Sequence, residues 1–339
     1  MARRASSTKR LLFSCTDKVI DMKKKFSKIF AGGFLAMSLL ATPVIAAPMS
    51  FDADSAIAQY TQKLQREPNN AVVYNNRGYA YKIKKDYEKA IADFTRAIEL
   101  DQNYSDAYNN RGTVFQILSR YDDAYNDYNR AIETNPNNAV AYNNRGVIEK
   151  KMASYKEHSG RESSSIYEQA IKDFTRAIEL NPDYAEAYYN RGGGYSLIHK
   201  DEVAIKDFTR AIELGINTPG IFATRGVSYS DIGDKDRALA DYEKAISLDP
   251  NYGAAYINRG MIYYNKKDYQ RAITDFKKAI ELGTDLTSAF TNLGLCYFRL
   301  GDYDAAIDCY TRALSVNQNF QPAIQNMQVA YEAKAGRRR

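Results

Sequence analysis

A 34-residue period runs through most of this 339-residue chain and constrains its fold more than any other feature. From Ala71 the same pattern begins again at Ser105, Ala139, Ala185, Pro219, Gly253 and Thr287, giving seven units over 71–320. Only the third is irregular, with 46 residues and hence 12 extra. Places are counted here from the first residue of each unit. Place eight is always Gly: Gly78, Gly112, Gly146, Gly192, Gly226, Gly260 and Gly294. Places twenty and twenty-seven are always Ala, and places four and twenty-four always Tyr or Phe. Spacings of three, four and seven describe two amphipathic helices per unit, with a turn near place fifteen such as Gly233-Asp234 or Gly301-Asp302. So short a helix pair cannot bury its own apolar face. Small residues set against aromatic ones let neighbouring units stack into one continuous core.

The period, Gly at eight, Ala at twenty and twenty-seven and the aromatic at twenty-four resemble the tetratricopeptide repeat (TPR) family. The chain departs at place thirty-two, where Pro stands only at Pro136, Pro182 and Pro250, and at place four, where Tyr or Phe replaces the usual Trp. The resemblance implies an all-α TPR solenoid, a right-handed superhelix of antiparallel helix pairs. Residues 51–70 read as a half-repeat cap, with Ala56, Tyr60 and Pro68 in the register of a second helix. Residues 321–339 read as a capping helix and a basic tail.

Charge sets nucleic acid aside. The formal charge is +6, but residues 1–46 hold 9 Lys/Arg against 2 Asp/Glu, leaving net −1 on the remainder. A nucleic-acid binder carries its basic excess on the folded part. The basic leader instead reads as a signal peptide. Lys23, Lys24, Lys25 and Lys28 precede eighteen uncharged residues, and Val44 and Ala46 suit cleavage after Ala46. The well-formed leader opens at Met22, a candidate second start. An uncleaved anchor is the alternative and the one membrane contact expected. The expected location is outside the cytoplasm: periplasmic where the cell has an outer membrane, otherwise secreted or wall-associated. Outside the leader stand Cys296 and Cys309, which read either as buried thiols or as a disulfide.

Six units carry Arg at place seven, where the family usually has Leu, and Asp at twenty-three: Arg77 and Asp93, Arg111 and Asp127, Arg145 and Asp173, Arg191 and Asp207, Arg225 and Asp241, Arg259 and Asp275. In the seventh both change together, to Leu293 and Cys309. Joint change points to structural ion pairs across each helix pair. The competing reading, a row of arginines gripping a polyanion, is weakened because a matched carboxylate neutralises each.

The resemblance implies a concave groove lined by first helices. Place six there reads Asn76, Asn110, Asn144, Asn190, Thr224, Asn258 and Asn292. A regular row of amides offers both donor and acceptor to the backbone of an extended peptide. Asn75, Asn109 and Asn143 at place five would thicken the row, and Tyr79, Val147 and Met261 at place nine would add apolar contacts. Solvated repeat asparagines are the plain alternative. The insertion, Lys156–Tyr167, falls between two helices and reads as a mobile loop or a hook for a partner. Gly192-Gly193-Gly194 lacks the flanking elements of a phosphate loop, so it should mark a weak helix or a close approach. His158 and His199 stand apart and form no metal cluster.

No catalytic constellation is left over once repeats, caps and loop are assigned. The expectation is therefore an exported, non-enzymatic scaffold that binds a protein or peptide partner, needs no cofactor and organises complexes in the cell envelope. The alternative is a structural solenoid that self-assembles as a homo-oligomer.

Overall fold

A computed structural model describes residues 52–158 and 164–337. The signal-peptide reading of 1–46 lies outside the described residues. Sixteen helices follow one another, and among the described residues there is no strand. Helix α1 (Ala53–Arg66) stands alone. Units one and two are α2 (Ala71–Ile83) with α3 (Tyr87–Leu100), and α4 (Ser105–Ile117) with α5 (Tyr121–Thr134). Units three and four are α6 (Ala139–His158) with α7 (Ser164–Leu180), and α8 (Ala185–Leu197) with α9 (Asp201–Glu213). Units five and six are α10 (Pro219–Asp231) with α11 (Lys235–Leu248), and α12 (Gly253–Asn265) with α13 (Tyr269–Glu281). Unit seven is α14 (Leu286–Leu300) with α15 (Tyr303–Val316), followed by α16 (Gln321–Arg337).

Local chemistry sets the helix boundaries. First helices stop where place fifteen turns left-handed: Lys85, Ser119, His199 and Lys267 adopt φ of 58–64°, Gly233 89° and Gly301 80°. Four of the second helices start on an aspartate cap, as when Asp234 accepts from the Arg237 amide at 3.1 Å and Asp268 from the Arg271 amide at 3.1 Å. Unit three has no such stop, because place fifteen is Ala153, a strong helix former buried at 0% exposure. Its first helix therefore runs on to His158.

This corrects the loop reading of Lys156–Tyr167. Lys156–His158 extend α6, Ser164–Tyr167 open α7, and Tyr167 is a core residue at 3% exposure. Residues 159–163 lie outside the described residues.

The chain divides into two compact parts, Met1–Pro136 with Ile148–Ile166, and Asn137–Val147 with Tyr167–Arg339. Within each, successive helices pack as antiparallel neighbours. Each repeat glycine meets the ring at place twenty-four. A Cβ on Gly78 or Gly112 would lie 2.9 Å from Phe94 or Tyr128, and one on Gly294 only 2.6 Å from Tyr310. Those rings are essentially fully buried, as are the alanines at places twenty and twenty-seven. The glycine triad has a packing reason as well: a Cβ on Gly194 would stand 2.9 Å from Ile171 of the preceding unit. Cys296 and Cys309 are free and buried, and burial pushes their thiols up to about 12 and about 11. No described helix is long and apolar enough to cross a membrane.

Candidate functional site

Each arginine of place seven that has an aspartate at place twenty-three is bound to it. In each of the six units Nε and one terminal nitrogen donate to the two carboxylate oxygens of the Asp at twenty-three, at 2.6–2.9 Å. The remaining nitrogen reaches the preceding unit: Arg77 donates to Thr61 at 3.2 Å, Arg111 to Thr95 at 3.0 Å, Arg191 to Thr175 at 3.3 Å and Arg225 to Thr209 at 3.0 Å. Rings at places four and eleven flank the guanidinium, as Tyr256 and Tyr263 flank Arg259 at 5.6 and 5.9 Å. Burial lifts the Asp127 and Asp275 carboxyls above the usual range, while the facing arginine pulls them down. Each group thus ties its helix pair together, and four of them also tie one unit to the next. None is offered to a polyanion.

The asparagines divide into two kinds. In the first compact part, Asn110 Nδ2 donates to Asn75 Oδ1 at 3.0 Å, and the Tyr104 hydroxyl shares the Asn75 side chain. In the second, Asn190 Nδ2 donates to Asn143 Oδ1 at 3.0 Å, and the Tyr184 hydroxyl shares Asn143. Place-six amides at Asn110 and Asn190 are thereby fixed in orientation, each keeping its carbonyl oxygen and one N–H. The place-five asparagines do not thicken the row as expected. Asn75, Asn109 and Asn143 are 5–9% exposed, and Asn75 and Asn143 hold Asn110 and Asn190 from beneath. Tyr189 and Thr224 are hydrogen-bonded partners at the corresponding places of units four and five.

Half-buried Asn76 and Asn258 pair with no other side chain among the described residues. Asn144 is half-buried and accepts from Asn143 Nδ2 at 3.4 Å. Asn292 is 4% exposed and so does not line an open face. Tyr79, Val147 and Met261 are half-buried on first helices.

Four of these side chains meet Tyr60 of α1 in the first compact part. Tyr60, Asn75, Asn76, Tyr79 and Asn110 line an open hollow of about 280 Å³. Tyr60, at place twenty-four of its register, is half-buried on α1. Lys82 Nζ lies 4.2 Å from the centre of the Tyr79 ring, and burial pushes its ammonium down to about 8. The hollow combines phenol and amide groups with one nearby cation. Its lining side chains are two phenols and three amides. Among the described residues no group of three His, Cys, Asp or Glu could hold a metal ion.

The link between places five and six escaped sequence reasoning, yet a signal existed. Asn at five in units one to three is matched by Asn at six in units two to four, and Tyr189 arrives with Thr224.

Known proteins place this architecture. The fold is similar to that of the APC/C hetero-tetramer Cut9–Hcn1, with TM-score 0.60 and 17% identity over 82% of this chain and 52% of that one. A tetratricopeptide repeat protein from Parabacteroides merdae ATCC 43184 gives TM-score 0.55 and 17% identity over 82% of this chain and 99% of that one. YrrB, a TPR protein with an unusual peptide-binding site, gives TM-score 0.46 and 22% identity over 58% of this chain and 95% of that one. At such identities the likeness concerns the fold. A search of curated proteins finds no match. The tetratricopeptide repeat model matches 71–104, 105–138, 221–252, 253–283 and 287–320, and a second TPR repeat model matches 166–193. These matches cover more than half of an all-helical chain built from such units, and the chain belongs to the tetratricopeptide repeat family.

Proposed function

We propose that the chain is a non-enzymatic protein-interaction scaffold that binds extended peptide segments on its first-helix faces. The observation that supports this most is the state of the place-six amides. Asn76 and Asn258 keep their full donor and acceptor capacity, and Asn110 and Asn190 are pre-set by their neighbours. Such amides donate to and accept from the N–H and C=O groups of a peptide backbone and ask little of its side chains. Half-buried Tyr79, Val147 and Met261 add apolar contacts beside them.

Replacing Asn76 and Asn258 with Ala removes ligand-facing amides that no other described side chain uses, so the fold keeps its contacts. Residues 47–339 and this double variant are compared by cross-linking to envelope proteins. The reading expects partners captured by the first and lost or strongly reduced with the second. Equal capture by both would move binding away from these faces.

Export is part of the same proposal. Residues 1–46 carry the basic, apolar and small-residue succession of a signal peptide, and cleavage after Ala46 delivers the scaffold to the periplasm or the cell exterior. The N-terminal sequence of the mature protein is expected to begin at Ala47. A mature chain that retains the apolar stretch would make the leader an anchor.

A further inference from the structure

The hollow in the first compact part has a cation beside it that no described carboxylate meets. Lys82 stands at place twelve of α2, one turn from Tyr79 and two turns from Asn75, so one helix face presents all three. Its Nζ lies 4.2 Å from the centre of the Tyr79 ring. Lys82 is half-buried, and among the described residues it makes no ion pair or hydrogen bond. Exposed lysines nearby and elsewhere do find acids: Lys84 pairs with Asp54, Lys89 with Asp86 at 2.8 Å and Lys266 with Asp236 at 2.8 Å. Place twelve itself is a bonded place in units two, four and six. There Gln116 accepts from the Tyr128 hydroxyl at 2.9 Å, Ser196 donates to Asp201 at 3.2 Å and the Tyr264 hydroxyl accepts from Arg299 at 3.0 Å.

A cation drawn partly out of water without a counter-charge costs free energy, which an anion beside it offsets. The hollow supplies what such an anion needs. Asn76 keeps both N–H donors, Asn110 keeps one, and Tyr60 and Tyr79 bring phenol groups. No carboxylate lines the hollow. Asp106, the acid closest to its amides in the chain, is exposed and acts on the Tyr104 hydroxyl that shares Asn75, with no effect on Lys82.

We infer that this hollow is a subsite for an acidic side chain, with Lys82 as its counter-charge and Asn76 and Asn110 as donors to its carboxylate. The inference rests on the reading that first-helix faces hold extended segments, and it adds a charge requirement: the segment held at units one and two carries Asp or Glu. Backbone-reading amides are indifferent to side chains, so Lys82 is what makes this part of the face selective. Burial pushes the Lys82 ammonium down to about 8. It is therefore charged at neutral pH and neutral in base, and the preference for acidic segments weakens as pH rises from about 7 to about 9.

Two measurements on residues 47–339, which retain every described helix, separate this inference from the reading beneath it. In the first, lysines are labelled with carbon-13 at Cε, the Lys82 signal is identified by its loss in Lys82→Gln, and sodium acetate is added against sodium chloride of equal ionic strength. The Lys82 signal is expected to shift saturably with acetate and not with chloride, while that of exposed Lys85 follows ionic strength alone. A Lys82 signal that behaves like that of Lys85 would overturn the inference. In the second, short random peptides with amidated C-termini are selected on the native chain, on Lys82→Gln and on Lys82→Arg. Glutamine is the residue of unit two at this place, and circular dichroism verifies that both variants keep their helix content. The native chain and Lys82→Arg are expected to enrich Asp or Glu at one position, and Lys82→Gln to lose that enrichment and bind the selected peptides about tenfold more weakly. Peptides selected without an acidic preference, or with the same preference on Lys82→Gln, would overturn the inference and leave backbone recognition standing. If no version selects any peptide, the peptide reading fails and takes this subsite with it, whatever acetate does.

Discussion

Arg259 shows what a single side chain contributes in this architecture. Its two bonds to Asp275, at 2.8 and 2.9 Å, are flanked by Tyr256 and Tyr263, and the Asp275 side chain is 4% exposed. Replacing only the arginine leaves a buried carboxylate without its counter-charge, which costs about 3 kcal/mol. Arg259→Leu is therefore expected to lower stability by that amount in denaturant unfolding. Arg259→Leu with Asp275→Cys recreates the pair that unit seven already uses, Leu293 and Cys309, and is expected to recover most of the loss. If the double variant unfolds as early as the single one, the pairing is not what holds these residues. This pair was legible in the sequence because both members sit in one unit and change together. The amide link between Asn75 and Asn110 was not, because its members belong to successive units. The burial of Asn75 is likewise decided by the helix stacked above it and not by the pattern of its own helix.

At the scale of the element, the left-handed residue at place fifteen sets the length of each first helix. Units five and seven place Gly there; units one, two, four and six use Lys85, Ser119, His199 and Lys267 at φ of 58–64°. A side chain in that region costs about 1 kcal/mol relative to glycine. His199→Gly is thus expected to raise unfolding stability by about 1 kcal/mol, less the unfolded-state entropy that glycine adds. A denaturant midpoint that falls would show that His199 makes contacts worth more than its strain. The same place explains why the insertion was misread. Its polar composition suggested a loop, but Met152 and Ala153 at the expected stop permit helix, and α6 continues to His158. A turn signal that is missing from a pattern is harder to notice than one that is present. The helix pairs themselves were fully legible, since seven recurrences of Gly against a ring leave little choice of partner.

For the molecule as a whole, the sequence identified the architecture, and the structure sorted the place-six residues expected to line a groove. Of the six place-six asparagines, Asn76 and Asn258 pair with no other described side chain, Asn110 and Asn190 are pre-set, and Asn292 is covered. That sorting depends on what lies above and beside each amide, which a period of 34 residues does not encode. The period has a different kind of consequence. Arg111 meets Thr95 in the way that Arg225 meets Thr209, so this contact recurs where the preceding unit carries Thr at place twenty-five. A gene that gains or loses thirty-four codons by slippage between two units of equal length keeps the period, and it keeps this contact where the unit before the new boundary carries that Thr. The number of stacked units is in that sense a heritable length, adjustable in whole steps.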